Sequence, residues 1–292
     1  MQAVKERAYA KINLYLGVID RREDGFHNVK TVMTSISLFD TVTVSAIASR
    51  TSSVSIKISG NDRLPTDARN LAVRAAWLFL ERSGISAAVE IRLEKRIPVA
   101  SGMAGGSTDA AAVLRALNRI FSRPFASRAL HEMASELGSD VAYCLFGKTA
   151  LCEGRGELIT RLPASPRLFV AVGVANERVS TPMAYSALDR MYSDFGEWEG
   201  NRDEVISELL AALGRGSLPS RLYNIFEDAV LPECPRAAAI KKEMYSLFAT
   251  HAMMSGSGPS IFGVFPNKEA ADAAAERLRE LGVNAFSAES ID

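Results

Sequence analysis

Ile12, Leu14, Leu16 and Val18 alternate along the chain with Lys11, Asn13, Tyr15 and Gly17. A period of two predicts a strand with one buried face, and it sets Lys11 and Asn13 together on the other. A turn-rich stretch, Asp20 to His27, follows, and alternating runs recur at Val42–Ala46, Val54–Ile58 and Val89–Leu93. Between them the period lengthens. Leu71, Ala75 and Leu78 predict a helix, with Arg69, Arg74 and Arg82 elsewhere on its wheel. The clearest amphipathic pattern is Ala110, Val113, Leu114, Leu117 and Phe121, with Arg115, Asn118 and Arg119 turned outward and Ser122-Arg-Pro124 ending it. A further helix is predicted from Ser127 to Leu137, stopped at Gly138.

A composition shift at Pro163–Pro166 marks the expected boundary between an N-terminal domain, 1–162, and a C-terminal one, 163–292. Beyond it the pattern predicts a strand at Leu168–Val174, several helical stretches, a strand at Ile261–Phe265, a helix at Lys268–Leu281 and a last strand at Val283–Ser287. Ser193 to Ser220 reads as a helix with flexible flanks. Both halves mix strands and helices, so the expected class is α+β. A chain of 292 residues suits two domains or two lobes.

Composition narrows the function. Hydrophobic residues make up 48% and charged residues 23%, and the formal net charge is zero. No basic excess marks a nucleic-acid or membrane partner, so an anionic ligand has to be held by local groups. Cys144, Cys152 and Cys234 form no C-x-x-C pair, which argues against a disulfide framework and for a reducing compartment. His27, His131 and His251 are too dispersed for a metal cage, and no protein metal site is expected. Met1 to Ala10 lacks the apolar core of a signal peptide, and no apolar run reaches membrane-spanning length. The expectation is a cytoplasmic protein. His131 and His251 read as structural, and Cys144 and Cys152 as core residues of adjoining strands.

The segment with the most chemistry is Pro98-Val-Ala-Ser-Gly-Met-Ala-Gly-Gly-Ser-Thr-Asp-Ala-Ala-Ala112. It joins a predicted strand to the strongest helix. Small residues allow backbone N–H groups to approach a ligand, and glycine reaches positive φ without strain. The first turn of the following helix adds unpaired N–H groups and the positive end of its dipole, a ready anion site. Ser107 and Thr108 add hydroxyls for a phosphate oxygen or for Mg²⁺. The plain alternative is a flexible turn with Ser107 as helix cap. Gly102, Gly105 and Gly106 do not give the dinucleotide spacing G-x-G-x-x-G. Gly147-Lys-Thr149 resembles the tail of a P-loop, but Ala142 stands where its first glycine belongs, so Lys148 reads as a surface lysine.

The loop resembles the glycine-rich motif of the GHMP kinases, and two more segments match that family in order: Ala10-Lys-Ile-Asn-Leu14 near the start and Met254-Ser-Gly-Ser-Gly-Pro-Ser260 near the end. Within the family, Arg22-Glu-Asp-Gly-Phe-His27, Leu137-Gly-Ser-Asp-Val141 and Gly154-Arg-Gly-Glu157 resemble the branch that phosphorylates a cytidine-diphosphate-linked methylerythritol in non-mevalonate isoprenoid biosynthesis. The resemblance implies a two-lobed fold, with an N-terminal lobe like domain 2 of ribosomal protein S5 and a ferredoxin-like C-terminal lobe, the active site lying in the cleft between them. It implies ATP as co-substrate, Mg²⁺ with it, and a monomer or homodimer. Other acceptors of the same family (homoserine, mevalonate, a sugar) and a non-catalytic ligand sensor are the competing readings. Retention of both Lys11 and Asp140 argues against the sensor.

Carried over by resemblance, Asp140 matches the catalytic base and Lys11 the group that stabilises the developing alkoxide. Pro98, Val99, Ala100, Ser101, Gly102, Met103, Ala104, Gly105, Gly106, Ser107 and Thr108 match the nucleotide loop, with Asn70 and Lys95 near the nucleotide. Asn13, Phe26, His27, Thr181 and Tyr185 match the substrate side, with Phe26 and Tyr185 on the two faces of the cytosine. The chemistry asks for such groups. Phosphoryl transfer is positioning and charge stabilisation, with a carboxylate to take the hydroxyl proton and a cation beside the reacting oxygen. Four positions depart from the family pattern: Ser101 and Ala104 replace common glycines, Ala142 a proline, and Ile225 the aspartate of an N-D-x-E segment, here Asn224-Ile-Phe-Glu227.

Overall fold

The computed structural model describes residues 2–61, 63–163, 166–192 and 199–291. Part of the expected boundary, 164–165, and the first part of the Ser193–Ser220 stretch, 193–198, lie outside the described residues. Contacts group the chain into two compact units: Met1–Ala10, Phe39–Val99 and Ala104–Gly147 form the first, and Lys11–Leu38, Ala100–Met103 and Lys148–Asp292 the second. Neither is one continuous stretch, because strands β1 (Gln2–Arg21) and β2 (His27–Ala48) each give one end to each unit.

In the first unit β3 (Ser53–Ser59) runs parallel to β4 (Ala87–Glu94), and β4 pairs antiparallel with β2 from Thr41↔Glu94 to Ala48↔Ala87. Helix α1 (Leu71–Ser83) packs on α2 (Gly105–Ile120), and α4 (Ser139–Phe146) packs on both α2 and α3 (Ser127–Leu137). The core follows the expected apolar positions: Val42, Val44, Ile91 and Leu93 from strands, and Ala75, Leu78, Val113, Leu114 and Leu117 from helices. Three readings need correction. Asn118 is buried, because its amide clamps the chain after α2 by bonding both the N–H and the C=O of Phe125. Cys144 lies in α4 and not in a strand. Asp140 lies inside the first turn of α4, since Gly138 separates two helices where the pattern showed one helix end.

The second unit adds β5 (Ala150–Glu153), paired with β2 and with β6 (Leu158–Arg161). Next come β7 (Phe169–Val174), α5 (Thr181–Met191), α6 (Glu199–Gly214), β8 (Tyr223–Asn224), α7 (Phe226–Val230) and α8 (Pro235–Ser246). The chain ends with β9 (His251–Met254), β10 (Ser260–Phe265), α9 (Lys268–Glu280) and β11 (Asn284–Glu289). The order β11-β7-β10-β9, antiparallel throughout with α8 and α9 packed on it, is the ferredoxin-like arrangement expected of this half.

The largest departure from the sequence pattern lies in β1. Alternation predicted one buried face, yet Ala10 through Val18 is buried on both, with Lys11 only 3% and Asn13 2% exposed. Parallel pairing with β8 (Tyr15↔Tyr223, Leu16↔Asn224) makes this end of β1 an interior strand. On the face read as polar, the Tyr15 ring meets that of Tyr223 and also covers Gly17, where a Cβ would lie 2.8 Å from the Tyr15 hydroxyl. Among the described residues no helix is long and apolar enough to cross a membrane.

Candidate active site

The loop between β4 and α2 turns on three left-handed residues, Ala100 (φ 52), Gly102 (φ 74) and Ala104 (φ 59). Ala104, not Ser107, caps α2, and it does so without a side-chain bond. The first helical bond closes from Thr108 N–H to the Ala104 carbonyl, so the N–H groups of Gly105, Gly106 and Ser107 have no partner within the helix. Three such donors at the positive end of a sixteen-residue helix suit a phosphate. Alanine at 100 and 104 bears some strain in this conformation, and its single methyl keeps the loop narrow.

Asn13 gathers the motifs of the second unit. Its Oδ1 accepts from Lys11 Nζ and from the Gly256 N–H, each at 2.8 Å, while its Nδ2 donates to Thr31 Oγ1 at 2.9 Å. Thr31 Oγ1 donates in turn to the Tyr15 carbonyl, so each side chain of this buried series has at least one partner. Lys11 N–H donates to the Met103 carbonyl, and Ser255 Oγ donates to the Gly102 carbonyl at 3.1 Å. The three glycine-rich or polar segments singled out in the sequence therefore meet as backbone against backbone. A Cβ on Gly256, itself at φ 56, would lie 3.0 Å from the Gly102 carbonyl oxygen and 3.2 Å from Lys11 Nζ.

A second cluster carries the aromatic residues. Phe26 is 56% exposed at the turn between β1 and β2; the Arg155 guanidinium lies 5.4 Å from its ring centroid, and Asp24 accepts from its N–H. His27 is buried instead. Its Nε2 lies 2.7 Å from Asp189 Oδ1, and its ring stacks on Tyr185 at 4.5 Å. Tyr185 in turn meets Phe226 edge-on. Thr181, the first residue of α5, places Oγ1 3.0 Å from Ser257 Oγ of the third motif. Sequence reasoning missed Asp189 and Arg155 as individual residues. Asp189 carries a helical signal, since it follows Tyr185 by one turn of α5, and Arg155 sits within the Gly154–Glu157 segment already noted.

Asn70 and Lys95 are occupied by the fold itself. Asn70 caps α1, accepting from the Ala72 N–H and donating to the Pro65 carbonyl. Lys95 is buried between Asp40, which it contacts closely, and Asp109, at 2.8 Å. Asp40 also accepts from the N–H groups of Arg96 and Ile97 at the start of the loop. Asp109 has one oxygen with no partner, and burial pushes its carboxyl up to about 7, against the pull of Lys95 and helped by Asp40. Asp140 is half-buried in the first turn of α4. Among the described residues no three acidic, histidine or cysteine side chains are grouped to hold a metal ion, while the Ser107 and Thr108 hydroxyls stand in the first turn of α2.

A helix N-terminus with three N–H donors left over by the helix, a buried lysine fixed beside a glycine-rich loop and a mixed α+β fold are consistent with a small-molecule kinase. The GHMP kinases N terminal domain matches residues 70–148 and the GHMP kinases C terminal domain residues 202–284; the chain belongs to this family. Its relatives include the 4-diphosphocytidyl-2-C-methyl-D-erythritol kinases of Gloeobacter violaceus, 41% identical with 94% of this chain and 89% of that protein covered, and of Bacillus subtilis, 39% identical with 89% and 88% covered. A crystal structure of 4-(cytidine 5'-diphospho)-2C-methyl-D-erythritol kinase superposes with a TM-score of 0.80 at 33% identity, covering 99% of this chain and all of that one. A homoserine kinase from Cytophaga hutchinsonii, at 22% identity and a TM-score of 0.74, shares the fold.

Proposed function

We propose that this protein transfers the γ-phosphate of ATP to the C2 hydroxyl of 4-diphosphocytidyl-2-C-methyl-D-erythritol, a step of non-mevalonate isoprenoid biosynthesis in the cytoplasm. The observation that carries the reading is similarity along nearly the whole chain to kinases of that name, 38% identical over 94% of both chains for that of Caldicellulosiruptor bescii. The proposed division, 1–162 for the nucleotide lobe and 163–292 for the C-terminal lobe, falls between the two family matches, while residues 11–38, 100–103 and 148–162 group by contacts with the second unit.

In this reading the loop from Pro98 to Thr108 holds the ATP phosphates through its backbone. The Ser107 and Thr108 hydroxyls are the groups for Mg²⁺, which offsets phosphate charge when bound. Asp140 accepts the hydroxyl proton as the oxygen attacks phosphorus and ADP leaves. Lys11, fixed through Asn13, stabilises the developing negative charge. Phe26, His27, Thr181 and Tyr185 hold the cytidyl part of the substrate. The test is an ADP-release assay over the cytidyl substrate, homoserine, mevalonate and galactose. Turnover confined to one of the last three would overturn the acceptor and leave the kinase class standing.

A further inference from the structure

The segment Asn224–Glu227 lies outside the motifs assigned to substrate or nucleotide, and it holds the third motif in place. Asn224 is carried on β8, clipped to β1 by the pairing of Leu16 with Asn224 and by the bond from Ile225 N–H to the Leu16 carbonyl. Its side chain is 2% exposed and fully used. Nδ2 donates to the carbonyls of Met254 at 2.7 Å and Gly256 at 2.8 Å, and Oδ1 accepts from the Phe226 N–H that opens α7. Glu227 completes the clamp. Its Oε1 accepts from the Met254 N–H at 2.8 Å, while Lys241 pairs with Oε2 at 2.6 Å. Met254, at the end of β9, and Gly256 thus share three bonds with two side chains of a single short segment, accepting two and donating one.

The bonds continue inward. The Gly256 peptide whose carbonyl accepts from Asn224 is adjacent to the N–H that donates to Asn13 Oδ1, and Asn13 Oδ1 accepts from Lys11 Nζ. We propose that Asn224 and Glu227 are positioning residues for the phosphoryl-transfer site, setting Lys11 through Gly256 and Asn13. This rests on the role given to Lys11 above. Position 225 then has a plain reason to tolerate isoleucine: its side chain is fully buried in the core beside Leu16 and Phe226, and the neighbours on either side do the clamping.

The chemistry separates the variants. Asn224→Asp keeps the size but removes both N–H donors and turns a carboxylate oxygen toward two carbonyls, so the loop should detach. Glu227→Gln keeps an acceptor for Met254 N–H, and Glu227→Ala keeps none. A misplaced Lys11 affects the transition state more than binding, so kcat should drop about ten-fold or more for Asn224→Asp and several-fold for Glu227→Ala, with both KM values within about three-fold. Glu227→Gln should restore kcat to near the wild-type value. Amide exchange at Gly256, which needs no turnover and reads the loop even if the acceptor is misassigned, should quicken in Asn224→Asp and Glu227→Ala alone. Equal kcat for the two Glu227 variants, or unchanged exchange at Gly256 in folded Asn224→Asp or Glu227→Ala protein, would overturn the proposal.

Discussion

A side-chain carbon at position 102 would sit 2.0 Å from the carbonyl oxygen of Ser255, so the loop before α2 and the third motif touch backbone to backbone at Gly102. Neither atom belongs to a flexible side chain, and Gly102 also has φ 74. Gly102→Ala must therefore push the two loops apart. Calorimetry should show ATP affinity reduced by about ten-fold or more. Gly282 has a similar φ of 77, but a Cβ added there would meet nothing within 4 Å, so Gly282→Ala isolates the backbone strain. It should lower stability by about 1–2 kcal/mol and leave ATP binding alone. Equal ATP binding by both variants would show that the Gly102 contact is not needed for the cradle.

The Lys95 cluster gives a pH prediction. Asp109, raised from the usual carboxylate value to about 7, is a group whose folded-state pKa lies above its unfolded one. Its contribution to stability is present in full below the unfolded pKa and is lost as pH rises through about 7. Urea midpoints of wild type should fall between about pH 5 and about pH 8 relative to those of Asp109→Asn, which keeps the shape and cannot ionise. Parallel profiles would mean that Asp109 does not titrate in this range.

Tyr185 and His27 face each other at 4.5 Å, with Asp189 behind the imidazole. In the cytidyl-substrate reading, Tyr185→Ala removes a stacking surface worth about 1–3 kcal/mol, raising KM for that substrate about ten-fold while that of ATP stays put. Tyr185→Phe keeps the ring and should stay near wild type in both. Tyr185 also packs on Phe226, so its truncation lowers the melting temperature as well. An equal rise in both KM values would make it a packing residue only.

Periodicity in the sequence revealed α1, α2 and α3 of the first unit and three strands of the second-unit sheet, β7, β10 and β11, but not its edge strand β9. α3 runs from Ser127 to Leu137, the bounds the pattern predicts. What it hid were polar residues with distant partners. Lys11 and Asn13 alternate with apolar neighbours as if solvent-facing, and their burial is offset by bonds such as that from the Gly256 N–H, 243 positions away from Asn13. Lys95 finds Asp40 across 55 positions for the same reason. Ala104 as a left-handed helix cap gave no local signal, since alanine ordinarily avoids that conformation. The candidate site was legible as three ordered motifs, but their mutual arrangement depends on bonds that no local pattern encodes.

Asp140→Asn is close in size to the native residue and removes the proposed base. kcat should fall by roughly two to four orders of magnitude with little change in substrate affinity. A folded variant turning over near the wild-type rate would remove Asp140 from the mechanism.

The most direct measurement of the proposed reaction is single-enzyme product analysis. The purified protein is incubated with ATP, Mg²⁺ and 4-diphosphocytidyl-2-C-methyl-D-erythritol, and ADP and the phosphorylated acceptor are quantified by mass spectrometry and ³¹P spectra. The expected result is one phosphate monoester at C2 for each ADP formed, and no product from homoserine, mevalonate or galactose. ADP formed without a phosphorylated cytidyl product, or phosphate placed on another acceptor alone, would contradict it.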